Sequence, residues 1–97
     1  MTKKIESEKA LEAKLRDRVK AAGGLALKVS SQHYTGLPDR MALMPGGRIT
    51  FAEMKTTGQK PTKVQQARHE ELRRLGIEVF VIDTTEKINE FMDHITQ

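Results

Sequence analysis

The sequence predicts a mixed α/β domain in the order α-β-β-β-α-β-α, with one central mixed sheet flanked by helices. Three observations carry that prediction. Apolar residues recur at helical spacing near both ends of the chain. A Pro-Gly-Gly turn separates two short apolar runs in the middle, and a nearly unbroken β-branched run follows a second, Gly-terminated helix. Ninety-seven residues leave no room for a second core, so 1–97 reads as one domain.

From Lys3 to Ala22, Leu11, Leu15, Val19 and Ala22 form one helical stripe with charged residues on the other faces. Gly23 and Gly24 end that helix. Leu25 to Val29 reads as a short, largely buried strand, and Ser30 to Gly36 as a polar loop. Met41 to Met44 and Ile49 to Met54 read as two strands joined through Pro45, Gly46 and Gly47, whose glycines supply positive φ. Thr56 to Pro61 is a second polar loop. Thr62 is the expected N-cap of a helix running to about Leu75, with Gly76 ending it. Its apolar contacts Val64, Leu72 and Leu75 are sparse, so one face is expected to stay wet. The run Ile77 to Ile82 has the signature of a central strand. Asp83 or a following Thr caps a last helix whose Ile88, Phe91, Met92 and Ile95 fall at i, i+3, i+4 and i+7.

Composition narrows the function classes. Seventeen basic residues against thirteen acidic ones give a net charge of +4, which favours polyanion partners. With no Cys there is no disulfide, thiolate zinc site or Cys nucleophile. No apolar run approaches the ~20 residues that cross a bilayer, and the first residues lack the apolar core of a signal peptide, so no membrane partner is expected. His33, His69 and His94 have no zinc-ligand spacing, and His69 reads as a helix-surface residue. His33 and Tyr34 could touch nucleic acid at a site mouth or simply pack their loop. The segment Gly58 to Lys63 leads into a helix N-terminus but lacks P-loop spacing, so no nucleotide cofactor is expected.

The most informative stretch is Gly36-Leu37-Pro38-Asp39-Arg40, followed fourteen residues after Asp39 by Glu53-Met54-Lys55. Residues two apart on a strand project to one side, so Glu53 and Lys55 point together. Asp39 opens the neighbouring strand of the same hairpin, which lets its carboxylate approach that of Glu53. Two converging carboxylates repel unless a cation sits between them. Hard oxygen ligands with coordination places open for water and phosphate suit Mg²⁺ or Mn²⁺. A nearby Lys can orient an attacking water and neutralise charge on phosphate. An isolated E-x-K on a strand more often means a solvated ion pair worth about 0–1 kcal/mol. It is the combination with Pro38-Asp39 across a hairpin that departs from chance.

These residues resemble the PD-(D/E)-x-K nuclease superfamily and, more narrowly, the VRR-NUC (virus-type replication-repair nuclease) domain. The matching pieces are Gly23 to Lys28, Gly36 to Arg40, Pro45 to Arg48, Phe51 to Lys55, Gln65 and Gly76. The resemblance implies that Asp39, Glu53 and the backbone carbonyl of Met54 bind the metal and that Lys55 is the catalytic lysine. It also implies a first-helix glutamate, which falls on Glu12 with Glu8 as fallback, and a helical glutamine, which falls on Gln65 rather than Gln66. Without it, Glu12 reads as an i,i+4 partner of Arg16 and Gln65 as a solvated helix residue.

Lys28, Arg40, Lys60, Lys63 and Arg68 lie near the expected active edge as candidate DNA contacts, or as scattered solubilising charge. Aromatic residues are only 4%, which favours contacts to a duplex or branched backbone over a single-strand stacking platform. The expected function is a metal-dependent DNA endonuclease. As a stand-alone domain of a type associated with bacterial viruses and prophages, it would cut four-way (Holliday) junctions as a homodimer in the cytoplasm of a bacterial or phage-infected cell. Two rivals remain: a non-catalytic basic nucleic-acid-binding module, and a flap or duplex nuclease without junction selectivity. A third reading, assembly with partners through the Ile88/Phe91/Met92/Ile95 face, is weaker.

Overall fold

The structure is a computed structural model and describes residues 4–97. In chain order the elements are α1 (Glu8–Ala21), β1 (Leu25–Lys28), β2 (Arg40–Met44), β3 (Arg48–Met54), α2 (Lys63–Arg74), β4 (Val79–Ile82) and α3 (Thr85–Ile95). The order is the expected one. The strands form one mixed sheet in the sequence β1-β2-β3-β4, antiparallel through β3 and parallel between β3 and β4. A parallel neighbour needs a crossover, and α2 supplies it.

Alternation along the strands sorts the two faces. Ala42, Met44, Ala52, Met54 and Ile82 are buried with Leu11, Leu15 and Val19 of α1 and with Ile88, Phe91, Met92 and Ile95 of α3. This is the main core. The α3 stripe packs inward as its period requires and is not a surface for assembly. Phe91 has no exposed surface and meets Phe80 edge-on at 5.2 Å. Phe91→Ala is therefore expected to lower unfolding free energy by ~3–5 kcal/mol, checked by urea denaturation. On the opposite face, α2 lies over β4 and the end of β3.

Four expectations on the fold need correction. The first helix starts at Glu8, with Ser7 accepting from the Ala10 backbone N–H as N-cap. Lys3 lies outside the described residues. Just before the cap, Glu6 joins distant parts of the chain. It accepts from the Thr85 N–H at 2.8 Å, from the Thr85 hydroxyl, and from Lys14 at 2.9 Å. These bonds, the Thr85 hydroxyl foremost, hold its carboxyl down at about 2. Its backbone also pairs with Thr57, which fastens the loop following Lys55 to the start of α3.

The strand β1 is not buried. It is an edge strand, and Leu25 and Leu27 show 55% and 37% of their surface. The Ile77 to Ile82 run narrows to β4, which is also an edge strand. Its apolar character comes from α3 on one face and α2 on the other, not from strands on both sides. In α2 the buried residue is His69, whereas Val64 and Leu75 are 50% and 76% exposed. The α2 start is as expected, with Thr62 and Gln65 forming a reciprocal capping box.

Candidate active site

The antiparallel register pairs Arg40 with Ala52, and one step further it sets Asp39 opposite Glu53 at the end of the hairpin. Beyond Arg40 the ladder is continued by a side chain, since Asp39 Oδ1 accepts the Met54 backbone N–H at 3.1 Å. A strand residue turns its N–H and C=O to the same side, so the Met54 carbonyl opens toward the Asp39 edge. Met54 itself is fully buried in the core, which fixes that backbone. The segment after it is pinned by the Lys55 N–H to Ile82 O bond of 2.9 Å.

Glu53 and Lys55 project together, as their spacing requires, with Lys55 Nζ 3.4 Å from Glu53 Oε2. Glu53 is only 2% exposed. Gln65 of α2 donates from Nε2 to Glu53 Oε2 at 3.1 Å while its own carbonyl oxygen accepts the Thr62 N–H. One glutamine thus ties the start of α2 to the carboxylate. Gln66 turns away and donates to the Pro61 carbonyl.

The first helix brings its acids to the same edge. Glu8, Glu12 and Asp39 each offer a carboxylate oxygen within 4.8 Å of the others. Glu8 and Glu12 are one turn apart, so both reach Asp39 from one helix face. The expected choice between them dissolves in the geometry, which brings both together. Glu12 does not pair with Arg16; its ion-pair partner is Arg40, at 3.7 Å.

Electrostatics mark this edge as strained in charge. Burial, with the nearby Glu12 and Glu8, pushes the Asp39 carboxyl up to about 6 despite the Met54 N–H bond. Burial and then the charge of Asp39 push Glu53 up to about 7, against the pull of Lys55. Carboxyls raised by burial and mutual repulsion are destabilised as anions, and a cation relieves both effects. The donor set of clustered carboxylates and a backbone carbonyl therefore fits a hard divalent cation such as Mg²⁺ or Mn²⁺.

The basic candidates separate. Lys28, Lys60 and Lys63 are exposed, the last two flanking the N-terminus of α2. Arg40 is turned toward Glu12, with 12% of its side chain exposed. Its alternation with Ala42 on the strand facing α1 explains why. Arg68 donates to the Thr35 carbonyl at 2.8 Å and to Glu71 at 2.9 Å, and it stacks 4.1 Å over the Tyr34 ring. It serves to hold the loop before Pro38 against α2. Gly36 permits that approach: its φ is +86°, and a Cβ there would meet Val64 O and Arg68 Cγ at 2.8 Å. His33 is exposed, and Tyr34 hydrogen-bonds Glu71.

The residue that the sequence reading missed is His69, expected on the surface but 1% exposed and 3.9 Å from Glu53 Oε1. Its signal was its spacing: it lies four residues after Gln65, on the same helix face.

A hairpin carboxylate beside an E-x-K strand, backed by helical acids and a glutamine, gathers hard oxygen donors and one lysine at a single edge of the sheet. A solved structure described as a VRR_NUC domain matches this fold with a TM-score of 0.85 and 30% identity, over 92% of this chain and 98% of that one. A protein named "Putative nuclease p44", from Acyrthosiphon pisum secondary endosymbiont phage 1, is 40% identical over 77 residues. That match spans 79% of this chain and 83% of the phage protein. No family model matches the chain. The chain belongs to the VRR-NUC nuclease family.

Proposed function

We propose that residues 1–97 form one nuclease domain that hydrolyses DNA phosphodiesters internally, with Mg²⁺ or Mn²⁺. The observation that carries the reading is the convergence of Asp39, Glu53 and Lys55 at one end of the hairpin, with both carboxyls raised. Asp39, Glu53 and the Met54 carbonyl would hold the cation, with Glu12 and Glu8 completing its acidic surroundings. The cation would supply charge neutralisation at the phosphate and lower the pKa of a bound water.

The chain's own residues do the positioning. Gln65 fixes the Glu53 carboxylate. Lys55 orients the attacking water and faces the charge that builds on the phosphate oxygens. Water oxygen forms the new P–O bond, a bridging P–O bond breaks, and the leaving oxygen takes up a proton. No covalent enzyme intermediate forms. Lys28, Lys60 and Lys63 are the exposed cations that would meet the DNA backbone, with Arg68 beside them. Each phosphate contact contributes a slope of about 0.9 to the fall of log K with log salt.

The finer reading is a homodimer that cuts four-way junctions symmetrically, because two related sites are what two symmetric incisions need. The sheet face opposite α1 supports self-association: Leu25 and Ile49 on it are 55% and 52% exposed. End-labelled four-way junction, flap and linear duplex are the test substrates, with Mg²⁺, Mn²⁺ or EDTA, alongside native mass measurement at micromolar protein. Symmetric, metal-dependent incision of the junction by a dimer is expected. Equal cutting of all three DNAs removes junction selectivity, and a monomer removes the basis for symmetric cutting. Salt-sensitive binding without incision under any metal makes the protein a binding module.

A further inference from the structure

Glu53 is gripped from one side only. Gln65 and Lys55 both approach Oε2, whereas Oε1 is buried with no hydrogen-bond partner among the described residues. The atom facing Oε1 is His69 Nε2, 3.9 Å away, on a residue 1% exposed and equally without a partner there. Two buried polar atoms, both unsatisfied and 3.9 Å apart, are rare in a folded interior, since each carries a desolvation cost. The gap is about 1 Å longer than a hydrogen bond, and such contacts often tighten only when a site is loaded. The terminal torsion of a glutamate is broad, so contacts at Oε2 alone leave the rotation of the carboxylate incompletely set.

Resting on the nuclease reading above, we infer that His69 is a positioning residue that donates its Nε2–H to Glu53 Oε1. Gln65 and His69 sit one turn apart on α2 and clamp the two oxygens of one carboxylate. The rotation they set leaves Oε2 beside Lys55. His69 touches neither cation nor DNA. It acts through Glu53, in the manner of groups that orient metal ligands from behind.

The test measures Mn²⁺ binding by calorimetry at pH 8 without DNA, in the whole chain, for wild type, His69→Leu and His69→Gln. Leu keeps apolar volume and removes the donor; Gln places an N–H at similar reach. His69→Leu is expected to weaken Mn²⁺ affinity ~10–100-fold, and His69→Gln to recover affinity to within about threefold. In cleavage assays the same loss should fall on the metal concentration for half-maximal rate, with the rate at saturating metal less affected. Folded His69→Leu binding Mn²⁺ like wild type overturns the inference, as does a wild type that binds no Mn²⁺. A second measurement needs no variant: ¹⁵N–¹H correlation of the wild-type imidazole at pH 8 should show the Nε2–H tautomer. The Nδ1–H tautomer would turn a lone pair toward Oε1 and overturn the inference even where His69→Leu does not fold. A wild type whose Mn²⁺ affinity depends on His69 but that cuts no DNA removes the nuclease reading and leaves the clamp standing.

Discussion

Asp39→Asn and Glu53→Gln are each expected to abolish cleavage and, at pH 8 without metal, to raise the stability of the fold. Both carboxyls sit above their ordinary values, Asp39 at about 6 and Glu53 at about 7, because burial and mutual charge disfavour their anions. A carboxyl with a raised folded pKa contributes stability that is fully present below its unfolded value, near 4, and lost as pH rises through 6 and 7. The metal-free protein should thus gain stability as pH falls from 8 toward 5. His69 works against this below 6.5, since burial lowers its pKa and protonation then favours unfolding. Glu6, held at about 2, contributes stability above 4.5 that disappears as pH falls further.

Removing one anion should stabilise the protein at pH 8 on the order of 1–2 kcal/mol once screening at this partly open edge is allowed for. That is a rise of several degrees, at about 4–8 °C per kcal/mol for a chain of this size. The same variants should lose the stabilisation that Mg²⁺ or Mn²⁺ gives wild type, which follows RT ln(1 + [L]/Kd). Thermal unfolding at pH 5 and pH 8, with and without Mn²⁺, checks all three effects. Variants less stable than wild type at pH 8 without metal would mean that the acids are structural partners.

Lys55→Ala is expected to reduce the single-turnover cleavage rate by ~10²–10⁴-fold, the range for losing one positioned proton-handling or charge-stabilising group. Because the Lys55 ammonium donates no ligand to a cation and its side chain is only partly exposed, its loss should leave Mn²⁺ binding and salt-sensitive DNA binding largely in place. A matching loss of DNA affinity would instead assign Lys55 to backbone contact. Set beside His69→Leu, the two variants should separate cleanly: one moves the rate at saturating metal, the other the metal requirement.

The sequence carried the path of the chain because its signals were local. Thr62 announced an N-cap, Pro45 to Gly47 a hairpin, and Ile88 to Ile95 a buried stripe. The pairing of Asp39 with Glu53 followed from strand alternation across that hairpin. What was not legible depended on packing between distant elements. The Ile77 to Ile82 run looked central because both its faces are covered, though by helices. Glu6 reads as one more helix charge until Thr57 and Thr85, far along the chain, are brought to it. The ion pair of Arg40 with Glu12 appears only once α1 is packed against the hairpin. His69 was misread for a different reason: a polar side chain on a mostly wet helix is assigned to water by composition, whereas its one-turn spacing from Gln65 placed it inward.

The most direct test of the central claim is cleavage of end-labelled DNA by the wild-type chain at saturating Mn²⁺, with EDTA and Lys55→Ala as paired controls. Incision that requires the metal and falls at least ~10²-fold in Lys55→Ala is the result expected from the Asp39–Glu53–Lys55 edge. Incision indifferent to EDTA or to Lys55, or none at all by a folded protein that still binds DNA, would contradict it.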